Sequence, residues 1–296
     1  MNSVRLGYSE EALSLQGLGY RNIILLFVLL NSLLEKQRDY ALNAVMIEEP
    51  EAHLCINNIR LLISFLNVFT QKNSLVQLFY STHSTEFINK MDLRNVVIMH
   101  NGQAYSFVDE LTPTQLDYLT KNPNLDLFKL FFSKKCILVE GISEEMLIRA
   151  YLTEQKALND IELLSFHKGF IDIIKIWKKV NSGSGNKLGI IRDYDDQDKA
   201  KENHDKFNDD KNICVRTTHE YTLEPEIVKT GNNYSILRDK YGETFGWTNF
   251  TEDEMQQAWR NAKASEMLRI CQDLANGELK GFQLPQHIKE VLDFLS

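Results

Sequence analysis

Apolar and polar positions alternate along this chain in two blocks. Residues 20–37 have the length and apolar density of a core helix, with "IILLFVLL" at 23–30 as the longest apolar run. "LNAVMI" (42–47) predicts a short buried strand, and "NIRLLISFLNVFT" (58–70) an amphipathic helix. "LVQLFYS" (75–81) predicts a second strand, and "NVVIMH" (95–100) a third that turns at Asn101-Gly102. Short apolar strands separated by helical periodicity imply a parallel sheet covered by helices. Residues 109–130, with Pro113, Pro123 and many polar positions, read as a boundary, so domains are expected at 1–108 and 134–296 with a linker at 109–133.

The alternation restarts at "KCILVEG". A strand (136–140) leads to a helix (143–157), then to a strand (161–166) that Gly169 follows. A helix at 171–180 precedes "KLGIIRD" (187–193), and "NICVRTT" (212–218) makes a further strand. "KENHDKFNDDKN" (201–212) reads as a solvated loop, and helices are expected from about Glu252 onward. Both blocks are therefore α/β. There is no internal repeat or low-complexity segment.

Composition narrows the picture. A hydrophobic content of 43% and a charged content of 25% suit a globular protein with a sizeable core. The longest apolar run is too short to cross a bilayer, and no charged, apolar and small-residue series opens the chain as a secretory signal would. Cys55, Cys136, Cys214 and Cys271 form no CxxC pair, and three of them lie in or beside apolar runs. Free thiols in a reducing cytoplasm, away from any membrane, are the simplest reading. The net charge of −8 weighs against a partner bound by its phosphates, unless many of the acids bind cations.

Those acids carry the chemistry. Glu140 closes one strand in "ILVEGISEE", and Asp193 closes another in "IIRDYDDQD", followed by Asp195 and Asp196. A parallel sheet gathers its strand carboxyl ends along one edge, where such folds place their sites. Asp193 and Asp195 point the same way if the segment is extended. Glu144, in the first turn of the next helix, can face the same crevice. Four or five carboxylates this close cannot all ionise unless a cation joins them. With oxygen ligands alone, the expected cofactor is Mg²⁺ or Mn²⁺, two ions, and not zinc. The plain alternative is that Glu144 and Glu145 only complement the helix dipole and that the aspartates are solvated turn residues.

"VEGxSE" followed by a strand ending in "DxD" resembles the TOPRIM domain of topoisomerases, primases and overcoming-lysogenisation-defect (OLD) nucleases. The OLD type fits best, over roughly 134–296. The resemblance implies metal-dependent phosphoryl transfer on DNA, with Glu140, Glu144, Asp193 and Asp195 holding the ions. It also implies an "LE" acid, Glu224 in "YTLEPE" (Glu226 being the substitute), and a catalytic lysine, Lys263 in "NAKASEMLRI". A lysine there would stabilise charge developing on a scissile phosphate. The alternative for Lys263 is a solvated helix lysine.

In the first block, "ALSLQGLGYRN" (12–22) sets a serine and glycines at a helix start, where free backbone N–H groups meet an anion. "NAVMIEEPEAHL" ends a strand in Glu48 and Glu49, and "FYSTHSTEF" leads a strand to His83. This order resembles the signature loop, Walker B strand and switch histidine of an ABC-type ATPase of the RecF, SMC and OLD branch. The resemblance implies an Mg²⁺-linked acid at Glu48, a water-activating base at Glu49 and a γ-phosphate sensor at His83. It also puts Ser14, Gln16 and Gly17 against nucleotide held by a facing subunit, hence a homo-oligomer through this lobe. No GxxxxGK[ST] occurs in the sequence. ATP is therefore expected only with a P-loop supplied by another chain or segment.

The reading is thus a metal-dependent DNA endonuclease or nickase, with ATPase regulation and phage defence implied by the family resemblance. Its rivals are an ATP-gated, non-catalytic DNA clamp of SMC type and a primase-like TOPRIM phosphoryl transferase. DNA-binding candidates are Lys175, Lys178 and Lys179 in "KIWKK", with Trp177 beside them, and Lys129, Lys134 and Lys135 in "KLFFSKK". An amphipathic core helix is the alternative for "KIWKK".

Overall fold

The computed structural model describes residues 7–8, 11–12, 17–36, 43–72, 75–100, 102–120, 126–157, 160–166, 170–261 and 263–296. They belong to two compact units, Met1–Val96 and Val97–Ser296.

In the first unit, β1 (Gly7–Tyr8) and β2 (Glu11–Ala12) pair antiparallel. They are followed by α1 (Leu18–Lys36), β3 (Asn43–Glu48), α2 (Ile56–Lys72), β4 (Val76–Ser81) and α3 (Thr85–Lys90). β3 and β4 pair in parallel from Asn43↔Val76 to Glu48↔Ser81, as the intervening helix requires. α2 buries Ile59, Leu62, Ile63 and Leu66, the i, i+3, i+4, i+7 stripe of an amphipathic helix. These side chains form a core with Leu30, Phe69, Val76 and Phe87. The covering is one-sided. α1, expected as a buried core helix, buries Ile23 and Leu30 but exposes Leu25, Val28 and Leu29. β3, expected as a buried strand, alternates between half-buried and exposed positions, and Met46 is 81% exposed.

The second unit opens with an antiparallel hairpin of β5 (Val97–His100) and β6 (Gln103–Ser106). The third predicted strand is thus correctly turned at Gly102, but it pairs with its own hairpin partner and not into a parallel sheet. The segment expected as a linker folds into α4 (Phe107–Glu110), α5 (Pro113–Thr120) and α6 (Leu127–Phe132). Leu111, Leu116, Leu119, Leu130 and Phe131 are buried there, so apolar residues interleaved with the polar ones pin it down.

Four parallel strands follow: β7 (Lys135–Val139), β8 (Glu162–Ser165), β9 (Lys187–Arg192) and β10 (Ile213–Thr217). Their order in the sheet is β10-β9-β7-β8. α7 (Ile142–Glu154), α8 (Phe170–Val180) and α9 (Asp198–Asp205) make the crossovers. Cys136–Val139 and Leu188–Arg192 are buried at every position, the near-continuous burial of a sheet covered on both faces. α9 lies in the stretch expected as a solvated loop. Only a narrow stripe of it, His204 above all, packs inward, so the polar sequence hid the helix.

The remaining helices are α10 (Leu223–Lys229), α11 (Asn233–Phe245), α12 (Glu252–Asn261), α13 (Lys263–Ala275) and α14 (Gln286–Leu295). α13 packs along α7, and α14 lies on β9 and β10. Gly189 sets that approach: a Cβ there would fall 2.4 Å from Val291 Cγ1 and 3.5 Å from Leu295 Cδ1. Cys136, Cys214 and Cys271 are buried, Cys55 is exposed, and all four are free thiols. Among the described residues no helix is long and apolar enough to cross a membrane.

Candidate active site

The chain goes from β7 to β8 on one side, then returns past β7 to β9 and on to β10. The direction of winding therefore reverses between β7 and β9, where open α/β sheets form a crevice at the strand carboxyl ends. Glu140 follows β7 at that point, and Asp193 follows β9. Asp193 N–H donates to Glu140 Oε2 at 3.2 Å, tying the two strand ends together.

Glu144 comes from the first turn of α7 and is only 4% exposed. Its carboxylate folds back over Gly141. A Cβ on Gly141 would lie 2.8 Å from Glu144 Oε2, so the glycine leaves room for the acid. Glu224, 1% exposed, comes from the first turn of α10 and accepts from Thr222 Oγ1 at 3.0 Å. Asp195 does not share an extended segment with Asp193, as the sequence suggested. It stands in a turn with φ +47°, and Asp196 follows at +56°. Asp195 N–H donates to Tyr221 O at 3.1 Å and Tyr194 N–H to Thr218 Oγ1 at 2.9 Å, and these bonds hold the turn in that left-handed form.

The electrostatics show that the acids converge. Burial pushes the Asp193 carboxyl far above the usual carboxylate range, and the charges of Glu144, Glu140, Glu224 and Asp195 push it further. Burial likewise raises Glu144; backbone N–H groups of Glu144 and Gly141 offset part of this, and Glu224 and Glu140 add to it. The charges of Glu140, Glu224 and Asp195 thus bear on Asp193, and those of Glu140 and Glu224 on Glu144.

Whether a cation fits there is answered by two observations that pull apart. Among the described residues no three acid, histidine or cysteine side chains close around one point as a metal cage does. Yet the donor set is all oxygen, and Asp193 Oδ1 is buried without a hydrogen-bond partner. The acids take local donors here, Asp193 N–H for Glu140 and Thr222 Oγ1 for Glu224. The residues fit a hard divalent ion.

Neighbouring acids have other work. Glu145 meets Arg149 Nε at 2.8 Å and accepts from Ser165 Oγ, while Arg149 Nη2 donates to Leu163 O at 3.1 Å. It therefore ties α7 to β8. Glu226, the substitute for Glu224, accepts from the N–H groups of His219 (2.9 Å) and Glu220 (2.8 Å) and lies 3.7 Å from His287 Nδ1 on α14. Burial alone would raise Glu226, but the His287 side chain and the Glu220 N–H outweigh it and lower the carboxyl. Glu226 thus anchors the helix that presents Glu224. Its place two residues after Glu224 was the only sequence signal.

Lys263 begins α13, and its side chain lies outside the described residues. Trp177 is not on a surface: it is 1% exposed, and its indole N–H donates to Leu130 O at 3.0 Å. "KIWKK" is an amphipathic helix with Lys175, Lys178 and Lys179 outward, and Lys175 meets Asp172 at 3.4 Å while Lys178 meets Asp210 at 3.0 Å. Lys129 is likewise paired with Glu162, at 3.0 Å.

In the first unit, Ser14 and Gln16 lie outside the described residues, and Gly17 is exposed just before α1. Gly19, not singled out by the sequence, has a structural reason: a Cβ there would lie 2.3 Å from His53 O. Glu48 and Glu49 are exposed at the end of β3, and Glu49 has φ +42°. His83 Nε2 is 3.3 Å from Glu49 Oε1. Glu51, which sequence reasoning passed over, accepts from Thr82 Oγ1 at 2.5 Å and from His83 N–H at 3.1 Å.

Two stretches of the chain match known protein families. Residues 131–195, which carry Glu140, Glu144, Asp193 and Asp195, match the family model described as the overcoming lysogenization defect protein-like TOPRIM domain. The second unit contains an OLD-like TOPRIM domain. Residues 9–88 match the model of the AAA ATPase domain, so an ATPase-type segment precedes the TOPRIM domain. Endonuclease GajA of Bacillus cereus (strain HuB5-5) is 25% identical over 324 residues, covering 90% of this chain and 46% of GajA. The chain thus spans about half the length of that curated relative. Two structures of the C-terminal region of the Xanthomonas campestris pv. campestris OLD protein align with 56% of this chain, at TM-scores of 0.34 and 0.38 and identities of 17% and 19%. They cover 95% and 94% of those chains.

Proposed function

We propose that the TOPRIM domain is the active site of a divalent-metal-dependent DNA nuclease that hydrolyses phosphodiesters with two ions. The observation that carries this is the crevice at the β7–β9 switch point, where buried Glu144 and Glu224 stand with half-buried Glu140 and Asp193, and Asp193 Oδ1 is unpaired. The match to the OLD-like TOPRIM model and the likeness to a protein named as an endonuclease support it.

Glu140, Glu144, Asp193, Asp195 and Glu224 would hold Mg²⁺ or Mn²⁺. Such ions supply an activated water and charge stabilisation at the leaving oxygen. The chain's own residues set the stage. Asp193 and Glu144 keep protons in the cation-free crevice and give them up when the repulsion is relieved. Gly141 leaves Glu144 room to reach the crevice, Glu226 holds α10 so that Glu224 stays at its edge, and the Tyr221 carbonyl fixes Asp195. Lys263 is proposed as the cation for the developing phosphate charge.

The first unit is proposed as part of an ABC-type ATPase lobe that regulates cutting. Its nucleotide contacts would be Ser14, Gln16, Gly17, Glu48, Glu49 and His83, completed by a P-loop from another chain or segment and assembled as a homo-oligomer. Phage defence is the role that the family likeness suggests. The test is incubation of supercoiled plasmid with the purified chain in Mg²⁺, Mn²⁺ and EDTA. Nicked or linear product in either metal and none in EDTA is expected. Intact plasmid in all three would overturn the nuclease reading in favour of a clamp.

A further inference from the structure

A five-acid crevice in a chain of net charge −8 repels the phosphates it is proposed to cut. Some fixed positive charge must face the strand close by. Of the lysines singled out from the sequence, Lys129, Lys175 and Lys178 are paired with acids.

Arg260 is different. It lies in the last turn of α12, exposed, with its guanidinium carbon 4.0 Å from the centre of the Tyr221 ring. Among the described residues it makes no ion pair with a carboxylate. Tyr221 belongs to the loop between β10 and α10, three residues before Glu224, and its carbonyl receives Asp195 N–H at 3.1 Å. That loop is braced twice more: Thr218 Oγ1 accepts from Tyr194 N–H at 2.9 Å and donates to Glu220 O at 2.7 Å. α12 packs on α10, the helix that presents Glu224. One rigid loop therefore carries the aromatic ring, the partner of Asp195 and the approach to Glu224.

Stacking engages the flat face of a guanidinium and leaves its edge of N–H donors free, the edge that matches a phosphate. The charge does not titrate in any working pH range, so it persists whatever the state of the acids. We propose that Arg260, held on Tyr221, binds a backbone phosphate of the DNA strand beside the acid crevice and so positions the strand for cleavage. It is a positioning residue, and the assignment rests on the nuclease reading above.

The test uses the full chain. Affinity for a short duplex is measured by fluorescence anisotropy in EDTA over a salt series, and cleavage in Mn²⁺ over a series of DNA concentrations. Arg260→Ala should weaken binding about tenfold and reduce the salt slope by about one. It should raise the DNA concentration needed for half-maximal cleavage more than it lowers the saturating rate. Arg260→Lys should keep the slope and recover only part of the affinity, because an ammonium has no flat face to stack. Tyr221→Leu should weaken binding without changing the slope. Arg238→Ala, which removes a cation stacked on Tyr234 of α11 (5.1 Å), serves as the control for bulk charge. If the wild type cuts DNA and Arg260→Ala binds with unchanged affinity and slope, this inference falls while the nuclease reading stands. An equal loss in Arg238→Ala would reduce the effect to bulk charge and overturn it as well. A wild type that neither binds nor cuts DNA removes the nuclease reading and this inference with it.

Discussion

Two strand ends in this molecule look alike in sequence and behave differently in structure. β3 runs "NAVMIEE" and β7 runs "KCILVEG", each an apolar strand delivering a glutamate at its carboxyl end. β7 is central in a four-stranded sheet, and of the acids at its end Glu144 and Glu224 are buried and Glu140 and Asp193 half-buried. β3 pairs only with β4 among the described strands, and Glu48 and Glu49 stand in solvent. The difference shows that the motif supplies carboxylates but the covering supplies their chemistry. Burial, together with neighbours of like charge, raises the carboxyls of Glu144 and Asp193.

The largest effect that could break this contrast is loss of a crevice acid. Glu140→Ala and Asp193→Ala should each lower Mg²⁺- or Mn²⁺-dependent plasmid cleavage by about 100-fold or more, since a ligand matters at least as much as the partners around it. Circular dichroism should show the fold intact. Melting in EDTA should be no lower than wild type for Asp193→Ala, because repulsion is relieved. Glu48→Ala should leave cleavage by the isolated chain unchanged. Equal losses at β3 and β7 would erase the distinction between the two ends.

Backbone packing sharpens the comparison at a smaller scale. Gly189→Ala pushes a methyl against Val291 on buried α14, and Gly19→Ala pushes one against the carbonyl of His53. Inserting a methyl into a packed contact costs about 1–3 kcal/mol. Both variants should therefore lose stability of that order in urea titrations. The Gly189 variant should lose it in the transition of the second unit, and the Gly19 variant in that of the first. A single shared transition with equal shifts would mean that the two units unfold as one.

How much of this was legible in the sequence follows from the same physics. Strands β7, β9 and β10 were readable because a parallel sheet buried on both faces needs unbroken apolar runs, and Ile137, Ile190 and Val215 lie in such runs. Glu140, Glu144 and Asp193 were readable because each falls at a strand end or in a first helical turn, whereas the left-handed turn that carries Asp195 was not. What was hidden lacks a periodic pattern. α9 is polar apart from Ala200 and buries only His204, and α10 and α11 follow a loop that Thr218 and Tyr221 tie to Tyr194 and Asp195, residues distant in sequence. The first unit misled in the other direction. The apolar run in α1 implied all-round burial, whereas Leu25, Val28 and Leu29 are exposed.

Proton linkage gives a third, gentler test. The folded-state carboxyls of Glu144 and Asp193 are raised to about 7 and about 8, above an unfolded value near 4. Between those limits the folded chain binds more protons than the unfolded one, so stability must fall as pH rises. The metal-free chain should lose stability steadily from about pH 5 to pH 8, with little further loss from these two groups above that. Asp193→Asn should flatten the profile, and saturating Mg²⁺ should restore stability at the alkaline end. Denaturant titrations in EDTA across this range would check it. A profile that rises with pH through the same window would mean that the crevice acids are ionised and satisfied without a cation.

The smallest effects are expected at the β3 end. Glu49 and His83 approach to 3.3 Å, but their side chains are 47% and 76% exposed, so the pair is a surface contact screened by water. Breaking it with Glu49→Gln or His83→Ala should change stability by no more than about 0.5 kcal/mol. Neither variant should change ATP turnover, because the isolated chain, with no GxxxxGK[ST] in its sequence, should show none to begin with. The backbone of Glu49, at φ +42°, is left-handed, as is that of His53 at φ +65° in the same loop. A coupled-enzyme assay on wild type and Glu49→Gln decides the matter. Steady ATP hydrolysis that disappears in Glu49→Gln would show that the β3 end is a complete catalytic site, and that solvent exposure had been read as inactivity when it was not.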